Sequence, residues 1–319
     1  MERNNVVRWL LNYGIILILC LLVISFSFAT ANFMKLSTIF TILKQVSIIG
    51  IISVGMTYVM LTGGIDLSVG SIAGVSAVTA AILMMHGVPI VPACIIVLLI
   101  SLVYGAISGF FITHFNIPAL IVTLGVMTSL RGLAYIVTDG MPVFGFNDNF
   151  GSFASSTLWL LPYPVILAAA VFIVAFISLE KTCMGRYLYG VGGNEEASRL
   201  SGVNVVRIKY FAYAVSGLLS GLAGLVLLSR TNSGQPAAGL GYEMDAITAV
   251  VLAGVNIMGG EGRIGMVVIG VLIMGVLGTG MIMCNINDYV QQFVKGIVLI
   301  GAVAFSAYSK TMRSRMMNK

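Results

Sequence analysis

Asp66 lies inside the apolar stretch LTGGIDLSVGSIAG, residues 61–74, and Asp245 lies inside GYEMDAITAVVLAGV, residues 241–255. A lone carboxylate among small and apolar residues has two plain uses: it caps a helix, or it gives a polar face to a hydrated cavity. Gly63 and Gly64 can take backbone angles that end one helix, and LSVGSIAGV can begin another at Leu67. Asp66 is then expected to accept hydrogen bonds from the unpaired amides of the new helix, at its positive end. Asp245, ahead of AITAVVLAGV, is expected to do the same. On the cavity reading these breaks also present polar groups, Asp66 and Ser68 first, with Asn116, Asp245 and Asn287 at the matching interruptions.

A second set of charges belongs to water. In NEEASRLSGVN, Asn194 is placed to cap a short helix whose first turn carries Glu195 and Glu196, with Ala197, Arg199 and Leu200 following and Gly202 closing it. Glu261 and Arg263 occupy a glycine-rich turn, GGEGRIG, residues 259–265. Read plainly, the first is a solvated loop helix and the second a helix-end anchor. Cys20, Cys94 and Cys284 fall in apolar runs and Cys183 in a basic loop, without a CxxC pair, so they read as structural thiols, neither disulfide nor zinc site. His86 and His114 each stand alone at the end of an apolar run and read as interfacial residues. No metal and no cofactor is expected. There is no GxxxxGK[ST] phosphate loop; GVGGNEEA follows no strand and reads as a tight turn into the short helix.

The elements that hold these residues are set by hydropathy. Of 319 residues, 59% are hydrophobic and 9% charged, and the mean hydropathy is +1.04. A water-soluble globule of this length does not have that balance, so the chain is read as an all-α polytopic membrane protein. At about 20 apolar residues per span, the sequence divides into about ten helices near 10–30, 40–61, 67–85, 91–112, 118–137, 163–179, 208–229, 245–258, 264–284 and 289–308. The net charge of +6 is no nucleic-acid signal, because the basic residues gather in three clusters: Arg3 and Arg8, the 180–207 loop, and the tail from Lys310 to Lys319. An even span count puts all three on the cytoplasmic side, with both termini inside. The first span with ATAN at residues 29–32 imitates a cleaved secretory signal, but its apolar run is longer than such a signal needs, and an uncleaved helix is the preferred reading.

The chain also repeats itself. VGMTYVMLTGGIDLSVGSIAGV from Val54 aligns with the stretch from Leu222 to Val255, matching Asp66 to Asp245, and GAISGFFITHFNIP from Gly105 aligns with GVLGTGMIMCNIND from Gly275. The repeat units are about 38–138 and 208–308 within a single 1–319 membrane domain, and their offset of five spans inverts the second relative to the first. Inverted repeats with matching helix breaks are a transporter plan.

VGMTYVMLTGGIDLSVGS resembles the signature of the ribose/monosaccharide family of ABC-importer permeases. So do GRYLYGVGGNEEASRLSGVNVVRIK from Gly185, SGQP at 233–236, and GYEMDAITAVVLAGVNIMGGEGRIG from Gly241, and together these cover the chain from about 38 to 308. The resemblance implies ten helices per chain in a vitamin-B12-importer-like arrangement and a second permease chain. It also implies a cytoplasmic ATPase and an extracytoplasmic sugar-binding protein as partners, in a bacterial cell membrane. It makes 180–207 a coupling loop whose short helix docks in a groove of the ATPase, with Ala197 and Leu200 packing and Glu196 and Arg199 setting register; Ser198 stands where that family's loop has a second alanine. Outside, DGMPVFGFNDNFGSFASSTLWLLPYP from Asp139 is a docking loop for the binding protein, or an aromatic belt through Phe144, Phe150 and Trp159.

Function is thus expected to be uptake of a monosaccharide by the membrane subunit of an ATP-driven importer. A gradient-driven secondary transporter is the alternative, but it needs an intramembrane titratable group, and the candidates Lys44, Asp66, Arg131, Asp245 and Lys295 mostly sit near span ends. Paired catalytic carboxylates, HExxH and a serine–histidine set are missing, which argues against an intramembrane enzyme.

Overall fold

The computed structural model describes residues 2–146 and 148–317. In chain order its helices are α1 (Glu2–Ala29), α2 (Leu36–Leu61), α3 (Val69–Met85), α4 (Ile90–His114), α5 (Ala119–Thr138), α6 (Asp148–Ser155), α7 (Tyr163–Lys181), α8 (Cys183–Gly193), α9 (Glu195–Leu200), α10 (Val205–Thr231), α11 (Tyr242–Leu252), α12 (Ile264–Met283) and α13 (Asp288–Met317). One hairpin, β1 (Thr157–Leu158) with β2 (Leu161–Pro162), pairs antiparallel ahead of α7.

All ten expected spans coincide with helices, and seven of these, α2, α4, α5, α7, α10, α12 and the Asp288–Phe305 part of α13, are long and apolar enough to cross a membrane. The protein is an all-α polytopic membrane protein. The exceptions are informative. α3 has 17 residues and α11 only 11, about 16 Å at 1.5 Å per residue, against a hydrocarbon core about 30 Å thick. The span expected over 245–258 ends at Leu252 because Gly254 takes φ +83° and closes the helix, its N–H bonded to Val251 O. Each short helix follows a break in the chain; Asp66 lies in the break before α3, whereas Asp245 lies in the first turn of α11.

α10 is the central strut. Its Ser216, Gly217, Ser220 and Gly224 are buried, and Gly217 meets the Ser101 carbonyl and Gly105 of α4 so closely that a methyl group there would collide with backbone. In a bilayer no hydrophobic force drives helices together, and close backbone approach supplies the dispersion contacts instead. α10 packs on α2, α3 and α4, while α2 packs on α10, α11 and α12; α3 packs on α4 and α5, and α11 on α12 and α13. The loops that an alternating count places on one face also meet. Val143 and Gly234 form a bridge at one end, and at the other the Gly260 N–H donates to Leu61 O at 3.0 Å and the Tyr189 hydroxyl to Gly262 O at 3.0 Å.

Two segments differ from expectation. The glycines of GVGG are helical, not a tight turn: α8 runs to Gly193 because its bare Gly192 face lies directly on the Leu61 carbonyl. In the 139–162 loop, Phe150 is buried against Phe146, with ring centroids 6.2 Å apart, and its carbonyl accepts a 2.7 Å bond from Ser229 Oγ. It is a strut between loop and α10 and belongs to no belt. Phe144 and Trp159 are exposed, Trp159 by 95% at the hairpin tip.

Candidate functional site

The first interruption is built from α2 outward. Thr62 is the C-cap and Gly63 adopts φ +79°; the Gly63 N–H bonds to Met60 O and the Gly64 N–H to Val59 O, which closes the helix as a Schellman turn. Two residues later, Asp66 is wholly enclosed. Its Oδ1 accepts the Ser68 N–H at 3.0 Å and the Ser68 hydroxyl at 2.5 Å, and its Oδ2 accepts the Ser216 hydroxyl of α10 at 2.7 Å. α3 begins at Val69 with Ser68 as its N-cap, not at Leu67. Asp66 therefore forms an Asx-type turn ahead of the cap and ties the break to a helix 150 residues away. Thr123 of α5 adds a bond to Ile65 O at 3.3 Å. The expectation that Asp66 and Ser68 face a hydrated cavity is corrected: both side chains are fully buried among the described residues.

The second interruption is solved differently. The N-cap of α11 is Gly241, at φ +82°, and Asp245 lies within the helix, so the expected cap at Asp245 is corrected as well. Its Oδ2 accepts the Lys295 ammonium of α13 at 2.7 Å, with the aspartate side chain 7% exposed. Two residues earlier, Glu243 is buried; its Oε1 accepts the Gly241 N–H at 3.3 Å, while Oε2 faces Gly70 of α3 without a hydrogen-bond partner. Arg131 of α5 donates to Pro236 O at 2.9 Å and Ala238 O at 2.7 Å and holds the segment before α11 against α3. The sequence reading did not weigh Glu243. Its place at the start of α11, two residues before Asp245 and ahead of an apolar run, is the available signal.

Asn116 and Asn287 are exposed turn residues. Asn116 takes φ +53° just past the end of α4, but its counterpart past α12 is Asn285, at φ +57°; Asn287 instead caps α13 by accepting the Val290 N–H at 2.9 Å. A further polar feature escaped the sequence reading. Gly125, Thr128, Ser129 and Gly132 of α5 are all at the surface or partly so, and a methyl group added to either glycine would meet no other part of the described residues within 4 Å. Their spacing of i, i+3, i+4 and i+7 is one helix face and could have been found by periodicity.

The soluble end carries the charged constellation. Asn194 Oδ1 accepts the Ala197 N–H at 2.9 Å and caps α9, and Gly202 closes it at φ +84°. Glu196 pairs with Arg199 at 2.8 Å and Glu195 with Lys209 of α10 at 2.6 Å. No residue of α9 is buried, and Leu200 is 81% exposed. Glu261 and Arg263 are exposed on the neighbouring turn. Below them, burial first and the Glu180 carboxylate second push the Tyr189 phenol above its ordinary value, against the opposing Arg263, so it remains the donor to Gly262 O. Among the described residues no cluster of His, Cys, Asp and Glu could hold a metal ion, and the four cysteines are free.

Comparison with known proteins gives this geometry relatives. Residues 38–303 match the family described as branched-chain amino acid transport system / permease component. The chain is 43% identical over 310 residues to the ribose import permease protein of Haemophilus influenzae, covering 96% of each. It is 44% identical over 287 residues to that of Bacillus subtilis, covering 89% of each. The L-arabinose ABC transporter permease protein of Azospirillum brasilense is 34% identical over 314 residues, 98% of this chain and 93% of that one. No solved structure matches significantly.

Proposed function

The chain belongs to the branched-chain amino acid transport system / permease component family together with the ribose and arabinose permeases, and from that premise we propose that it is the membrane-spanning subunit of an ATP-binding-cassette importer for a monosaccharide, a ribose-like pentose or small hexose. A separate cytoplasmic ATPase drives it, and an extracytoplasmic binding protein delivers the sugar. Both termini face the cytoplasm. That orientation is supported by the basic clusters at residues 3–8 and 180–207 and in the tail, of which Lys319 lies outside the described residues.

The observation that carries the reading is α9. A capped helix with no buried residue, an outward leucine and paired charges on a short stem is poor use of a loop unless something covers it. A groove in an ATPase would bury Ala197 and Leu200 and read Glu196 and Arg199. Glu261 and Arg263 on the adjacent turn extend the same surface. The inverted repeat of 38–138 and 208–308 is part of the proposal, supported by the helix pairs: exchanging α2 to α5 for α10 to α13 turns α4–α10 into α12–α2, α3–α5 into α11–α13 and α3–α10 into α11–α2, all of them present. The uncovered α5 face of Gly125, Thr128, Ser129 and Gly132 suits a path shared with a second permease chain, since hydroxyls and small residues let a neutral polyol slide without trapping it.

Charge reversal tests the docking. Glu196→Lys breaks the pair with Arg199 and puts a cation on the docking face, so sugar uptake is expected to fall at least tenfold while the permease stays in the membrane. Unchanged recovery of the ATPase with this variant would contradict the role given to α9.

A further inference from the structure

We infer that a backbone-packed glycine junction, formed by Gly192 at the end of α8, Gly259 in the turn before α12 and the Leu61–Gly63 end of α2, is the element that transmits motion from α9 to the buried Asp66 interruption. The inference rests on the proposed docking of an ATPase on α9.

Three segments distant in sequence meet there without side chains between them. A methyl group on Gly192 would land on the Leu61 carbonyl oxygen and lie 2.5 Å from Gly260 N; one on Gly259 would lie 2.6 Å from Gly63 N and 2.9 Å from Gly192 Cα. The Gly260 N–H to Leu61 O bond, 3.0 Å, stitches two of the segments, and the Tyr189 hydroxyl, one turn earlier on α8, donates to Gly262 O at 3.0 Å and stitches the third. α9 itself has no anchor in the core. It touches α8 and α10, and α8 is seated by the fully buried Leu188 and by Val191. A push on α9 therefore reaches the bundle through α10, by the Glu195–Lys209 pair between two long side chains, and through α8, whose far end rests on backbone.

Side chains at a contact can change rotamer and absorb a displacement, whereas backbone against backbone cannot. A shift of α8 is passed to Leu61 and Gly63 undamped. From Gly63 the chain reaches Asp66 in three residues, and Asp66 holds the break to α10 through Ser216. Gly192, Gly259 and Tyr189 are thus positioning residues for coupling, acting through the Leu61–Gly63 end of α2 and Gly262.

Adjacent glycines give the test. Gly193 is next to Gly192 in the same GG pair, yet a methyl group on it meets nothing within 4 Å. The assembled complex of permease, ATPase and binding protein is reconstituted in liposomes, and sugar uptake and ATP hydrolysis are measured together. Gly192→Ala is expected to lower uptake per ATP hydrolysed at least tenfold, with complex recovery and hydrolysis within twofold of the unmodified chain, and Gly193→Ala is expected to leave the ratio unchanged. Tyr189→Phe, which keeps the ring and removes one stitch, is expected to lower the ratio about threefold and decides the matter if Gly192→Ala does not assemble. An unchanged ratio in Gly192→Ala, an equal loss in Gly193→Ala, or an unchanged ratio in Tyr189→Phe overturns the inference. An unmodified complex whose uptake ignores ATP overturns the proposed function instead.

Discussion

The two helix interruptions, which the proposed repeat puts in matching places, handle their carboxylates in opposite ways. Asp66 is enclosed and satisfied by three hydrogen bonds from serine groups, and no cation pairs with it among the described residues. Asp245 sits one turn inside its helix and is neutralised by Lys295 from α13, whose side chain is 27% exposed. A buried acceptor with three donors fixes geometry, because every donor loses its partner if the residue moves. A partly exposed ion pair gives way more easily, since water can replace either partner. The first interruption is built as a rigid tie to α10, the second as a contact between α11 and α13 that parts more easily.

The largest effect that would separate them is at Asp66. Asp66→Ala strands the Ser68 N–H, the Ser68 hydroxyl and the Ser216 hydroxyl in the core, and is expected to cost about 3 kcal/mol, seen as a large loss of thermal stability in detergent. Asp66→Asn keeps one acceptor oxygen and lets the Ser216 hydroxyl turn, so it should cost about 1 kcal/mol. Equal losses for both would mean that the charge matters more than the hydrogen bonds. Next comes Lys295→Met, which leaves Asp245 nearly buried and unpaired; about 2 kcal/mol is expected, less than for a fully enclosed pair. Adding Asp245→Asn should restore most of it, and failure to restore it would show that the pair holds α11 to α13 by packing and not by charge. The smallest effect sharpens the likeness of the two halves. Asn116→Ala and Asn285→Ala, each forcing a Cβ residue other than Asn into the left-handed region, are expected to cost about 1 kcal/mol and to match one another; a wide gap between them would weaken the equivalence of the two turns.

Hydropathy made the spans legible, because a bilayer demands long apolar helices and leaves few other readings. The α9 cap was legible too, since Asn194 and Gly202 act locally. What escaped the sequence was what depends on partners far along the chain. Nothing near Asp66 reveals that Ser216 reaches it, and nothing near Asp245 names Lys295. The alignment that paired Asp66 with Asp245 matched residue types, whereas the structure matches Gly87 and Gly254 as the Schellman glycines that close α3 and α11, and Asn116 and Asn285 as left-handed turns past α4 and α12. The glycines of α8 misled for the same reason: composition suggests a turn, and only the Leu61 carbonyl lying against Gly192 explains why they are helical.

The central claim, that a separate ATPase and not an ion gradient drives this permease, is tested most directly in proteoliposomes holding the complete complex, with labelled ribose and its binding protein outside. Uptake is expected to require ATP at the ATPase face and to persist when ionophores remove all ion gradients. Uptake that proceeds without ATP under an imposed proton or sodium gradient, and collapses with the ionophore, would contradict the account.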